Sequence, residues 1–139
     1  MRRYYLFIIK REYLSLYYNK PNSLYQMLFS LKNLKAYDFS YGIKIFKEIC
    51  LPFSVKLLTN YFNKKINFTR INNKIIKISS KFEETSLELN YSCIVIKTNI
   101  NMPEIMRILN IYNKNILVCD FENNDYFWLN DYFKATLKK

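Results

Sequence analysis

The sequence contains no histidine and a single glycine, Gly42, among its 139 residues. Without histidine the chain has no Ser-His-Asp triad, no Cys-His pair and no imidazole metal ligand. With one glycine it has no glycine-rich loop of the kind that binds phosphate in Rossmann or Walker sites. These absences exclude the enzyme classes that a sequence motif most readily identifies. They predict a protein without catalytic residues, cofactor or metal site.

Cysteines are few, and long apolar runs are missing. Cys50, Cys93 and Cys119 are odd in number and form no CxxC pair, which argues against a disulfide framework or zinc site and favours a reducing compartment. Cys93 and Cys119 lie in apolar runs, so we expect both to be buried. No run approaches the ~18 apolar residues of a membrane span, and the stretch after Arg3 is too short for a signal peptide. The sequence therefore predicts a cytoplasmic protein without a membrane-spanning segment.

Apolar and aromatic residues are abundant, at 50% and 18% of the chain, and exclude intrinsic disorder. The length is close to the ~150 residues expected of one domain. Lysine and arginine number 22 against 11 acids, a formal net charge of +11. This charge has two open interpretations. In the first, the charge serves an acidic partner, such as nucleic acid, an anionic membrane or an acidic protein face. In the second, the lysine-rich composition reflects drift toward AT-rich codons.

The first half of the chain predicts one strand followed by helices. Residues 4–10 are aromatic and β-branched, which indicates a central strand buried on both faces. Four segments are predicted to be helical: 11–19, 24–31, 41–51 and 54–64. Pro52 is expected to end the third of them. Residues 66–80 fit the helical and strand periods equally well.

The second half predicts a sheet interrupted by one helix. Four segments are predicted strands: 82–90, 93–98, 116–121 and 126–129. The first two form a hairpin around residues 90–92. Asn101 as N-cap, with Glu104 in the first turn, opens a helix between the two strand pairs. The prediction is an α+β fold in a single domain, residues 1–139, with a roughly five-stranded sheet and helices packed on it.

The last pair of predicted strands contains oxygen-bearing side chains at the spacing of a calcium loop. They would occupy loop positions 1, 3, 5 and 12: Asp120, Glu122, Asn124 and Asp131. Asp125 occupies the position at which that loop requires glycine, and the flanks are predicted strands rather than helices. A hairpin turn on Asn123 and Asn124 fits better, because asparagine tolerates positive φ.

Residues 11–19 carry the most informative pattern. At 100° per residue the solvent stripe consists of Glu12, Ser15 and Asn19. Leu14 and Tyr18 lie opposite and are expected in the core, while Tyr13 and Tyr17 form a second stripe and Leu16 borders the polar face. The apolar arc is nearly twice the ~100° that a helix on a sheet needs. Either the tyrosines pack under neighbouring helices, or they form an exposed ridge for a protein partner.

Two segments carry a resemblance to a known family. Residues 4–13, YYLFIIKREY, continuing to Tyr17, resemble the N-terminus of the sporulation inhibitor of replication, SirA. Residues 120–130, DFENNDYFWLN, are similar to the closing hairpin of that family, D-F-x-N-x-x-Y-x-W-L-N. The resemblance implies a small cytoplasmic protein without enzymatic activity that binds the N-terminal domain of the initiator DnaA and restrains replication initiation.

The resemblance also implies which residues contact the partner. The family's aromatic contacts on the first helix correspond to Tyr13 and Tyr17, with Leu16 beside them. A third contact, on a later helix, corresponds to Ile45, where a polar residue is expected. No specific nucleic acid, cofactor or membrane is expected among the partners.

Two other functions remain open from the sequence. A small basic nucleic-acid-binding module agrees with the charge, but lysine greatly outnumbers arginine and no groove-reading or RNA-binding motif is present. A degenerate acyltransferase-like enzyme agrees with the order of elements. The pyrophosphate loop of that superfamily, however, contains glycine before the helix, and residues 97–101, directly before Met102, contain none.

Overall fold

The computed structural model of the chain describes residues 1–33 and 39–137. The strands in these ranges are β1 (Arg2–Ile9), β2 (Cys50–Leu51), β3 (Thr69–Arg70), β4 (Ile75–Ser79), β5 (Glu84–Leu89), β6 (Ile94–Thr98), β7 (Ile116–Asp120) and β8 (Asp125–Trp128). The helices are α1 (Arg11–Tyr17), α2 (Pro21–Lys32), α3 (Phe39–Ile49), α4 (Val55–Asn63), α5 (Glu104–Tyr112) and α6 (Leu129–Leu137). The α+β class is confirmed, with eight described strands instead of about five. The single-domain prediction also covers residues 34–38 and 138–139, outside the described ranges, and stays a prediction.

The eight strands form one antiparallel sheet in the order β3-β4-β5-β6-β1-β7-β8, with β2 paired to the end of β1. The predicted central position of β1 is confirmed, because Tyr5 lies opposite both Val95 of β6 and Cys119 of β7. The strands β6 and β7 therefore run parallel to each other on either side of β1. The helix α5 connects them.

The central strand is buried on both faces, as its continuous apolar sequence predicts. Tyr4, Leu6 and Ile8 belong to a first core cluster, which α4 and α5 cover with residues such as Leu58 and Leu109. The alternate residues of β1 belong to a second core cluster on the other face of the sheet. The helices α2 and α3 cover that second cluster. Helices thus pack on both faces of the sheet centre.

Several elements depart from the prediction at their ends, and α2 begins at Pro21 rather than at residue 24. The helix α3 ends at Ile49, not at residue 51, because Cys50 and Leu51 pair with β1. The helix α5 has Pro103 as its N-cap without a side-chain bond, so the assignment of Asn101 was wrong. The last predicted strand stops at Trp128, since Leu129 already begins α6.

The ambiguous segment 66–80 forms the short strand β3 and the strand β4. Its turn is stabilised by Asn72, whose Oδ1 accepts hydrogen bonds from the backbone N–H groups of Lys74 and Ile75 at 2.8 and 2.9 Å. The segment is therefore a hairpin at the edge of the sheet.

The turn between β7 and β8 is the predicted asparagine hairpin. Asn124 has a φ of 52°, the left-handed conformation that asparagine tolerates. Asp120 accepts a bond from the Asn123 amide at 2.8 Å and another from Arg2 Nε at 2.8 Å. Burial raises the pKa of Asp120, but the hydrogen bonds from Asn123 and Arg2 outweigh it and hold that pKa below its ordinary value. Arg2 thus fastens the start of β1 to the closing hairpin.

The predicted burial of Cys93 and Cys119 is confirmed, and Cys50 is buried too. Burial raises the pKa of Cys50 to about 12 and that of Cys93 to about 11, so both thiols stay protonated at neutral pH. Within the described ranges, no helix is long and apolar enough to cross a membrane. The same part of the chain holds no group of three or more histidine, cysteine or acidic side chains placed to hold a metal ion.

Candidate protein-binding surface

The first helix leaves the sheet directly at the end of β1, with Lys10 as its N-cap. The Lys10 N–H donates a 2.9 Å bond to the carbonyl of Ile49, at the end of α3. The Lys10 carbonyl in turn accepts bonds from the N–H groups of Tyr13 and Leu14. The start of α1 is therefore held by backbone bonds beside the end of α3.

The end of α1 is held by the closing hairpin and by α6. Trp128 Nε1 donates a 3.0 Å bond to the carbonyl of Tyr18, and the two rings stack with centroids 5.6 Å apart. The Tyr18 hydroxyl donates to the Asp131 carboxylate of α6, and this bond raises the pKa of Tyr18. The expectation that Tyr18 lies in the core was wrong. Its ring is 41% exposed and covers Trp128 from outside.

Tyr13 and Tyr17 form a stacked pair on α1, with ring centroids 6.3 Å apart and planes 6° from parallel. Both rings are half-buried and pack against the second core cluster. The Tyr13 hydroxyl donates a 2.6 Å bond to Glu48 Oε1 of α3. That hydrogen bond to a carboxylate raises the pKa of Tyr13. The two rings therefore pack on the core and also reach solvent.

The remaining apolar residues of α1 differ in exposure. Leu16 is 68% exposed, beside the stacked pair. Leu14, expected in the core, is only half-buried, and α1 has no fully buried residue. We call Tyr13, Leu16 and Tyr17 the α1 ridge. It is a rigid, partly solvent-exposed apolar surface on a helix that is held at both ends.

Ile45 lies on α3, half-buried against the second core cluster. It is one helical turn before Glu48, and residues three apart share a helix face. Glu48 accepts the Tyr13 hydroxyl bond, so Ile45 flanks the α1 ridge through that bonded pair. Sequence reasoning missed Glu48. The only sequence pattern that could have indicated Glu48 is its position three residues after Ile45, on the same helix face.

A comparison with protein families bears on the resemblance of residues 4–17 and 120–130. The family model described as "Sporulation inhibitor of replication protein SirA" matches residues 2–132. The chain belongs to the SirA family. No curated protein sequence matches it. The SirA match extends over residues 4–17 of β1 and α1 and over residues 120–130 of the closing hairpin, the two segments that carried the resemblance, which is confirmed. The SirA family is one of regulators that inhibit replication in sporulation.

Proposed function

We propose that this SirA-family chain inhibits replication initiation by binding the N-terminal domain of DnaA through the α1 ridge. The observation that carries the proposal is the stacked Tyr13–Tyr17 pair, half-exposed beside Leu16. Large, rigid aromatic side chains are the typical anchors of protein interfaces. A stacked pair also loses little side-chain entropy on binding, because its rotamers are already fixed.

The attachment of α1 supports the same function. Lys10 ties one end of the helix to α3, and Tyr18 ties the other end to Trp128. A helix fixed at both ends presents its outer face without rearrangement, so the partner meets a preformed surface. We assign Ile45 to the border of this surface, on the neighbouring helix.

The first experiment is calorimetry with the N-terminal domain of DnaA from the same organism, without DNA or nucleotide. The chain should form a discrete complex. Leu16→Asp should weaken it about tenfold or more, because the charge falls in a desolvated contact. Leu57→Asp is the matched control, since Leu57 is 61% exposed on α4, over the opposite face of the sheet. Equal losses in both variants, or no complex at all, would overturn the proposal.

A second candidate, a nucleic-acid-binding module, is favoured only by the net charge of +11. Nucleic-acid binding from charge alone is weak, independent of base sequence and strongly dependent on salt, whereas a dedicated module should bind tightly at ~0.15 M salt. A salt titration with duplex DNA therefore distinguishes a dedicated nucleic-acid module from incidental charge.

A further inference from the structure

A groove of about 760 Å³ lies between the helices α2 and α3 and the second face of the sheet. Its apolar lining comprises Tyr5 and Phe7 of β1, Leu28 and Leu31 of α2, and Ile43 and Phe46 of α3. The turn at residues 90–92 also borders it. No residue of α1 lines the groove, so it is a different surface from the α1 ridge.

Three lysines add positive charge to this apolar groove, and no acidic residue among those the structure describes lines it. Lys32 Nζ lies 4.8 Å from the ring centroid of Tyr5 and 5.1 Å from that of Phe121. Lys47 and Lys74 are exposed. In the described part of the chain, none of the three lysines forms an ion pair. The groove therefore combines an apolar lining with unneutralised cations.

Gly42 gives the groove part of its open space. It is the only glycine of the sequence, it is buried in α3, and it lines the groove. Glycine is among the least favourable residues in a helix interior. The backbone at position 42 does not itself require glycine, because its φ is not positive. A side chain at this position would project into the lining, which gives a local reason for glycine in a sequence that otherwise has none.

We propose that this groove binds a small anionic amphiphile, an apolar chain with a carboxylate or similar acidic head. The apolar lining takes the chain, and a lysine takes the head. The size supports a small ligand, because the volume falls in the ~300–1,000 Å³ range of small-molecule sites. Fifteen of the described residues line the groove, whereas a stable protein interface uses about 20–30 on each side.

The probe is sodium dodecanoate, kept below its micelle concentration and titrated into the isotope-labelled full chain while amide shifts are recorded. Saturable shifts should map to α2, α3 and the start of β6. Decanoate should bind about tenfold more weakly, since each buried methylene contributes to affinity. The uncharged monoglyceride of dodecanoate should also bind more weakly than the acid.

Three variants make the test specific. Gly42→Leu should abolish dodecanoate binding by filling the groove, and Lys47→Glu with Lys74→Glu should weaken it about tenfold or more. Lys44→Glu is the matched control, because Lys44 is exposed on the same helix but does not line the groove. Melting curves show that each variant is folded.

Absence of saturable shifts would overturn the proposal, as would equal effects of Lys44→Glu and the double variant. Shifts at the groove with an acidic amphipathic peptide, but none with dodecanoate, would assign it to a protein partner instead. DnaA binding is measured separately, so failure here leaves the function proposed for the α1 ridge unaffected.

Discussion

The hydroxyl of Tyr13 donates a 2.6 Å hydrogen bond to Oε1 of Glu48, and this bond joins α1 to α3. A second tie lies nearby, where the Lys10 N–H donates to the Ile49 carbonyl. The two bonds fix the rotation of α1 about its axis. The stacked ring of Tyr17 is thereby held in one orientation relative to α3.

Tyr13→Phe removes the hydroxyl and keeps the ring. Because the Glu48 bond is exposed to solvent, we expect the free energy of unfolding to fall by less than about 1 kcal/mol. DnaA binding should stay within about threefold of wild type, since the ring carries the contact. Calorimetry and urea unfolding check both values. If Tyr13→Phe abolished binding in a folded chain, the contact would depend on the hydroxyl and not on aromatic packing.

Tyr18→Ala tests the attachment of α1 to the closing hairpin. The substitution removes the ring stack on Trp128 and the bond to Asp131, so the free energy of unfolding should fall by about 1–2 kcal/mol. Trp128 is the only tryptophan, and its emission should shift to the red as water reaches it. DnaA binding should stay within about threefold, because Tyr18 lies off the ridge. Unchanged emission would contradict the stacked arrangement.

Asp120→Asn tests the link between Arg2 and the closing hairpin. Because Asp120 has a lowered pKa in the folded chain, it contributes stability at neutral pH that is lost as pH falls through that pKa. The variant should be about 1–3 kcal/mol less stable at pH 7. Its difference from wild type should begin to shrink below about pH 5 and keep falling as the pH drops below the ordinary aspartate value of ~3.9, because the folded carboxylate takes up its proton only below that value. Melting curves across this pH range measure the difference in stability. A difference that does not change with pH would contradict the stabilising role of the ionised Asp120.

Binding to duplex DNA distinguishes a functional charge from compositional drift. If the +11 charge reflects drift, binding should be weak, independent of sequence and absent near ~0.15 M salt. Fluorescence anisotropy with two unrelated duplexes at several salt concentrations measures this. Tight, sequence-selective binding at ~0.15 M salt would favour the nucleic-acid module instead.

Much of the sheet could be predicted from local pattern. The continuous apolar run of β1 indicated burial on both faces, and Asn124 supplied the positive φ of the closing turn. The two-residue strands β2 and β3 have too few residues for any periodicity, and pairing with longer strands defines them. The helix α6 was missed because it begins at Leu129 directly after a strand, without a loop between them.

The α1 ridge could also be predicted from a local pattern. The four-residue spacing of Tyr13 and Tyr17 is a property of the helix itself and places both rings on one stripe. The exposure of Tyr18 is not such a property. It depends on Trp128, 110 residues away, just as the position of the Tyr13 hydroxyl depends on Glu48, 35 residues away. Contacts of this range leave no local pattern.

The most direct test of the central claim is the dissociation constant of Tyr17→Ala with the DnaA N-terminal domain, measured beside its melting curve. Truncating a central anchor costs about 2 kcal/mol or more, so binding by the folded chain should weaken about thirtyfold or more. The melting temperature should fall only modestly, because Tyr17 is half-buried. Leu14→Ala is the control on the same helix. Leu14 is also half-buried against the second core cluster, so Leu14→Ala should lower the melting temperature by a similar amount but leave the folded chain able to bind. If Tyr17→Ala instead melts early and binds normally when folded, Tyr17 is a core residue and the α1 ridge is not the interface.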